Sequence, residues 1–222
     1  EPIQNLSSLR ASDRWDGYLA ERNDILSFIA AHDIRNVVWL TTDLHLTLVN
    51  DLFYVDDLQA NPSAVLEGSA RHPAAGSFEI ITGPLGFDPP AGAFIRPALA
   101  ALNLAPAFFG ASESNIAVAL NTLLTQVGLN PLGLPPERVN ILQGPADPLR
   151  AAVVDQFSYT VIDADEQSAT FTVRGIPAYT GAHARLAIRL AALGWPDMLR
   201  SLVSSRAVDV YSFRVPADPP AE

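Results

Sequence analysis

Between residues 16 and 41 the hydrophobic positions change their period. From Asp16 to Ala31, Tyr18, Leu19, Ile25, Leu26 and Ile29 recur at helical spacing with Glu21, Arg22 and Asp24 between them, so the pattern predicts an amphipathic helix that Asp13 or Asp16 could cap. After the short connection His32-Asp33-Ile34-Arg35-Asn36 comes the unbroken apolar run Val37-Val38-Trp39-Leu40, which predicts a strand buried on both faces. A helix feeding such a strand through a short turn is half of a βαβ unit, and the preceding strand of that unit is expected upstream of residue 1. Further strands are expected at Leu46 to Tyr54 and at Phe78 to Thr82.

The second half is punctuated differently. Residues 83 to 112 are rich in Pro, Gly and Ala and predict an extended segment with short helical pieces, suited to covering a cleft. Ile116, Leu120, Leu123 and Leu124 fall on one face of a helix that Ser112 or Ser114 would cap and that runs to about Val127. Leu129 to Pro148 reads as another Pro/Gly-rich connection. Phe157, Tyr159 and Val161, then Phe171 and Val173, alternate with Ser and Thr on either side of Asp163-Ala164-Asp165-Glu166, which predicts a β-hairpin. Two short helices, Leu186 to Leu193 and Pro196 to Val203, and a last strand, Val208 to Val215, complete the pattern. The fold class is α/β (α+β), in one domain over residues 1–222.

Composition narrows the chemistry. Charged residues are 17% of the chain and the net charge is −10, a balance that opposes binding to nucleic acid, and the fourteen basic residues are all Arg. Without Lys there is no Schiff base and no Walker A phosphate loop, and without Cys there is no thiolate nucleophile, cysteine metal ligand or disulfide. The most apolar long stretch, Ala93 to Ala111, is interrupted by Arg96, Pro97 and Pro106 and does not make a membrane span. No G-x-S-x-G, G-x-G-x-x-G or H-E-x-x-H motif is present.

What remains is Thr41-Thr42-Asp43-Leu44-His45, directly after the predicted buried strand, where α/β folds expose ligand-binding groups. If the backbone is extended there, the Asp43 carboxylate and His45 imidazole point to the same side and can converge on one cation. A hydrolytic metal site needs about three protein ligands, and the segment offers nothing further beyond Asn50 or Asp51. The alternative is that Asp43 merely ends the strand and His45 lies on a polar face. Asp16 is either a helix cap or a residue at the edge of a site. Arg22 either steadies a phosphate or carboxylate, or is an exposed helical arginine paired with Glu21 or Asp24. His32, His72 and His183 read as structural or solvated.

Asp13-Arg14-Trp15-Asp16-Gly17-Tyr18, Glu21-Arg22, Asn36-Val37-Val38, Thr42-Asp43-Leu44-His45 and Asn50-Asp51-Leu52 together resemble the PhoD-like alkaline phosphatase and phosphodiesterase family. There a W-D-G-Y helix leads into a buried strand ending in G-D-V-H. Ser77 to Thr82 is similar to the strand that follows, so the resemblance spans residues 13 to 82, and the hairpin from Phe157 to Val173 is a weaker echo of the C-terminal strands. Thr42 stands where the family has glycine, and the family's small polar pair and tryptophan after the histidine are not present.

The resemblance implies the metallophosphoesterase fold, two β-sheets packed between helices, of which this chain would be the C-terminal portion. It implies hydrolysis of phosphate monoesters or diesters at a binuclear metal centre, with Asp43 and His45 as metal ligands and Asp16 and Arg22 near the substrate. Iron and calcium are the implied metals, with zinc or manganese as alternatives. An upstream segment or a second chain would supply the remaining ligands, and the implied location is secreted or periplasmic. The competing expectation is a noncatalytic binding or structural domain that kept the scaffold after losing the metal site.

Overall fold

A computed structural model describes residues 3, 15, 18–56, 71–85, 133–144, 152–153, 156–177, 189, 192–194 and 207–218. One helix, α1 (Leu19–Ala31), is followed by β1 (Val37–Thr41), β2 (Thr47–Val55), β3 (Arg71–Ile81), β4 (Asn140–Gln143), β5 (Ala152–Val153), β6 (Gln156–Ala164), β7 (Ser168–Pro177) and β8 (Val208–Pro216). The strands form two four-stranded sheets, ordered β1-β3-β2-β5 and β4-β8-β7-β6. In the first sheet β1 runs parallel to β3 and β2 antiparallel to it; the second is antiparallel throughout its recorded pairings.

Alternation along the strands decides what lies between the sheets. Val49, Phe78 and Ile80 of the first sheet meet Phe171, Val173, Tyr211 and Phe213 of the second in one buried cluster that also takes in Leu134 and Val139. Its centre is aromatic: Phe171 stacks on Phe213 with ring centroids 5.0 Å apart and receives the edge of Phe78 at 5.4 Å. Such geometries add to the hydrophobic term that burial of the rings already supplies.

The other face of the first sheet is covered by α1. Leu26, Leu52, Ala74 and Ile3 form a second cluster there, flanked by Trp15, Trp39 and Tyr54. The buried stripe of α1 is Arg22, Asn23, Leu26 and Ile29, whereas Tyr18, Ile25 and Phe28 are exposed. Two polar residues can occupy that stripe because they complete the hydrogen bonding of β2. Asn23 donates Nδ2 to Val55 O at 2.8 Å and accepts from Val55 N at 2.7 Å, and Arg22 Nη1 donates to Phe53 O at 3.0 Å. The helix begins at Leu19 with Tyr18 at the capping position and no side-chain cap; Asp13 and Asp16 lie outside the described residues.

Two strand expectations change. β1 is an edge strand among the described residues, half-buried along most of its length with Leu40 60% exposed, so its apolar run does not mark a strand buried on both faces. β3 is longer than its apolar tail because a bulge lengthens it: between the pairs Asp51–Phe78 and Phe53–Pro73, β3 carries the excess residues. Gly76 allows this, since its φ of +72° suits glycine and a Cβ there would lie 2.9 Å from Arg35 Cα. His72 lies in this strand, beside Tyr54 and bonded to Asp56.

β4 was not expected. It follows a short 3-10 turn, Pro136–Arg138, inside the stretch read as a connection, and the same stretch bridges the sheets: Gly133 exchanges backbone hydrogen bonds with Val49 and Asp51 of β2 while β4 pairs with β8. The β6–β7 hairpin and β8 match their expected positions within a few residues. The helix expected from Ser112 to Val127 and the second of the two late helices lie outside the described residues; of the first, Arg189 and Ala192 are helical and Leu193–Gly194 form a turn. No helix among the described residues is long and apolar enough to cross a membrane.

Because Phe171 touches both Phe78 and Phe213, Phe171→Ala is expected to destabilise the protein by about 3–5 kcal/mol, read as a lowered urea midpoint.

Candidate functional site

The Thr42-Asp43-Leu44-His45-Leu46 turn joins the end of β1 to the start of β2. It is not extended. Asp43 has φ 85° and His45 φ 54°, both left-handed, so the strand alternation expected to bring the two side chains to one side does not apply. Asp and His visit this region more readily than most residues, and a like pair, Asp33 with φ 49° and Asn36 with φ 61°, lies in the connection between α1 and β1. Asp43 is exposed and His45 partly buried.

The residues considered as third ligands are turned elsewhere. Asn50 is wholly buried on the helix side of the first sheet, where its Nδ2 donates to Glu79 Oε2 at 3.3 Å. Asp51 faces the other way and pairs with Arg138, Nη1 to Oδ1 at 2.5 Å, while Arg138 Nη2 also donates to Ser77 O. Asp16 lies outside the described residues. Arg22 is not the exposed arginine that one reading proposed: only 6% exposed, it donates Nε to Ile3 O and Nη1 to Phe53 O.

The sequence reading missed the importance of Glu79. Its carboxylate is 0% exposed and accepts from Ile3 N at 2.6 Å and Thr41 Oγ1 at 2.6 Å as well as from Asn50. A charged residue inside the run Ser77-Phe78-Glu79-Ile80-Ile81 was the available signal, because burying a carboxylate requires donors around it. On the other side of the turn, Thr47 Oγ1 lies 2.8 Å from Ser158 Oγ. The Ser158 hydroxyl donates to Gly83 O at 2.8 Å, so the shared proton comes from Thr47. A cavity of about 350 Å³ opens between the sheets beside Val38, Leu40, Phe78, Ile162 and Phe171, but neither Asp43 nor His45 lines it.

As donors, a carboxylate and an imidazole suit a divalent metal of hard or borderline character. No group of three or more His, Asp or Glu able to enclose an ion occurs among the described residues. These residues thus furnish two donors of fitting chemistry and not a complete centre.

Residues 4–90 match the family of PhoD-like phosphatases, so this part of the chain is similar to that family. A stretch of 46 residues is 39% identical to alkaline phosphatase D of Bacillus subtilis (strain 168), covering 21% of this chain and 8% of that protein. The chain therefore aligns with a small part of that relative's length. No solved structure matches the chain.

The Asp51–Arg138 pair yields a pH test. Burial pushes the Asp51 carboxyl above its ordinary value by more than Arg138 draws it down. A carboxyl raised in the folded state stabilises the fold fully below its unfolded pKa, and that contribution is lost as pH rises through the folded value. Urea midpoints of the wild type and Asp51→Asn, followed from about pH 3 to about pH 7, are expected to shift against the wild type as pH increases.

Proposed function

We propose that this chain contributes Asp43 and His45 to the metal centre of a phosphoric ester hydrolase acting on phosphate monoesters or diesters. The observation that carries the reading is the left-handed Asp43–His45 turn at the end of β1, inside the segment that matches PhoD-like phosphatases. Asp43 would provide an anionic oxygen donor and His45 a neutral nitrogen donor. The other ligands would come from an upstream segment or a second chain. Bound divalent metals in such a centre lower the pKa of water toward about 7 and offset charge on the phosphoryl oxygens. Iron and calcium are the metals this family suggests, with zinc or manganese as alternatives, and an exported, secreted or periplasmic location goes with the same reading.

The remaining site residues have different roles in this proposal. Arg22 acts from behind, holding α1 and Ile3 against β2 through two backbone carbonyls. Asp16 is kept as a residue at the edge of the site on the W-D-G-Y resemblance. The described edge of β1, with Leu40 exposed, is where we place the completing segment, because an apolar edge strand favours pairing with another strand.

Two outcomes test this. In protein isolated from its source with whatever chain accompanies it, Asp43→Asn and His45→Ala are each expected to reduce both retained metal and phosphodiester hydrolysis by about 100-fold or more. Unchanged metal content and turnover in both variants would refute the assignment, and a wild type that holds no metal and hydrolyses no phosphate ester would favour a noncatalytic scaffold. The 222-residue chain produced alone is expected to aggregate or to elute as an assembly. A well-behaved monomer would contradict the placement at β1.

A further inference from the structure

We infer that Thr41 and Thr47, braced by Glu79 and Ser158, are positioning residues that hold the Asp43–His45 turn in its left-handed geometry. The inference rests on reading those two residues as the functional pair. Thr41 is the last residue of β1 and Thr47 the first of β2, so the five residues between them span from one fixed point to another. Both threonines are buried, as are their braces.

At the first point, Thr41 Oγ1 donates to the buried Glu79 carboxylate at 2.6 Å, and Thr41 O accepts from Thr82 N at 2.8 Å. At the second, Thr47 Oγ1 donates to Ser158 Oγ at 2.8 Å, and Ser158 is itself fixed through Gly83 O and, by its backbone N at 2.7 Å, through Pro84 O. The segment Thr82-Gly83-Pro84 is common to both points. Thr82 Oγ1 adds a bond to Thr160 Oγ1 at 2.9 Å, which ties the segment to β6.

This arrangement joins the two sheets at the base of the turn. Hydrogen bonds to a buried carboxylate are stronger than those between neutral groups and cost more to break, so the Thr41 contact resists relaxation. A left-handed backbone at two non-glycine positions persists only where its surroundings over-determine it. The two threonine clamps, at either end of the turn, are placed to contribute to this. Serine at either position would keep the bond, while valine would keep the shape and strand propensity but lose it.

The test uses isotopically labelled protein as its source yields it, with whatever chain accompanies it, and nuclear magnetic resonance. A left-handed residue shows a strong intraresidue amide-to-Hα Overhauser effect, expected at Asp43 and His45 in the wild type, in Thr41→Ser and in Thr47→Ser. In the double variant Thr41→Val/Thr47→Val both signals should fall about threefold as the backbone leaves this region, while β7 and β8 keep their chemical shifts. Mn²⁺ titrated into the same samples should broaden Asp43 and His45 in the wild type, with affinity about tenfold weaker in the double variant. Retention of both Overhauser effects in the double variant, or their loss only together with the β7–β8 shifts, would overturn the inference. Signals that respond to valine as expected in a wild type that never binds Mn²⁺ would support the clamps and overturn the metal assignment instead.

Discussion

The buried Glu79 carboxylate is the constraint around which the N-terminal half is arranged. A carboxylate removed from water without partners costs several kcal/mol, so its burial demands donors from whatever chain surrounds it. Here they come from Ile3, from Thr41 at the end of β1 and from Asn50 in β2. One side chain thus ties together Ile3, the strand leading to the candidate site and the neighbour of its own strand. Arg22 reinforces the same assembly by reaching Ile3 O and Phe53 O from α1.

From that polar layer the structure divides its work. On the opposite face of the first sheet Phe78 abuts the Phe171–Phe213 stack of the second sheet, and Asp51 pairs with Arg138. The candidate site lies at the ends of β1 and β2. Hydroxyls from Thr47, Thr82, Ser158 and Thr160 link the sheets beside the turn, so the aromatic core sets the spacing of the sheets and the polar bonds set the shape of the loop between β1 and β2.

Much of this was legible in the sequence where period and partner agree. Alternation in Phe157, Tyr159 and Val161 and in Phe171 and Val173 yields the β6–β7 hairpin, although only Phe171 and Val173 enter the core, while Phe157, Tyr159 and Val161 pair with Ile176, Arg174 and Thr172 on the other face. The apolar run Val37 to Leu40 located β1 correctly but misstated its burial, since an apolar run does not reveal whether a neighbouring strand is present. β4 was hidden because Asn140-Ile141-Leu142-Gln143 is too short to show a period and is flanked by Pro and Gly. The burial of Arg22 was not legible because its partners are the backbone carbonyls of Ile3 and Phe53, remote in sequence.

For the candidate site, the sequence nominates Asp43 and His45 but does not show their backbone geometry. Spacing of two residues suggests a shared side only in extended backbone, and the left-handed turn follows from contacts at Thr41 and Thr47 that no local pattern announces. The central claim is that these two donors belong to a centre completed by residues from elsewhere. Intact mass measured under denaturing conditions, beside the native elution volume of protein isolated from its source, tests it most directly. The account predicts a second polypeptide, or a longer single chain, accompanying the sequence described; a lone 23.8 kDa species eluting as a monomer would contradict it.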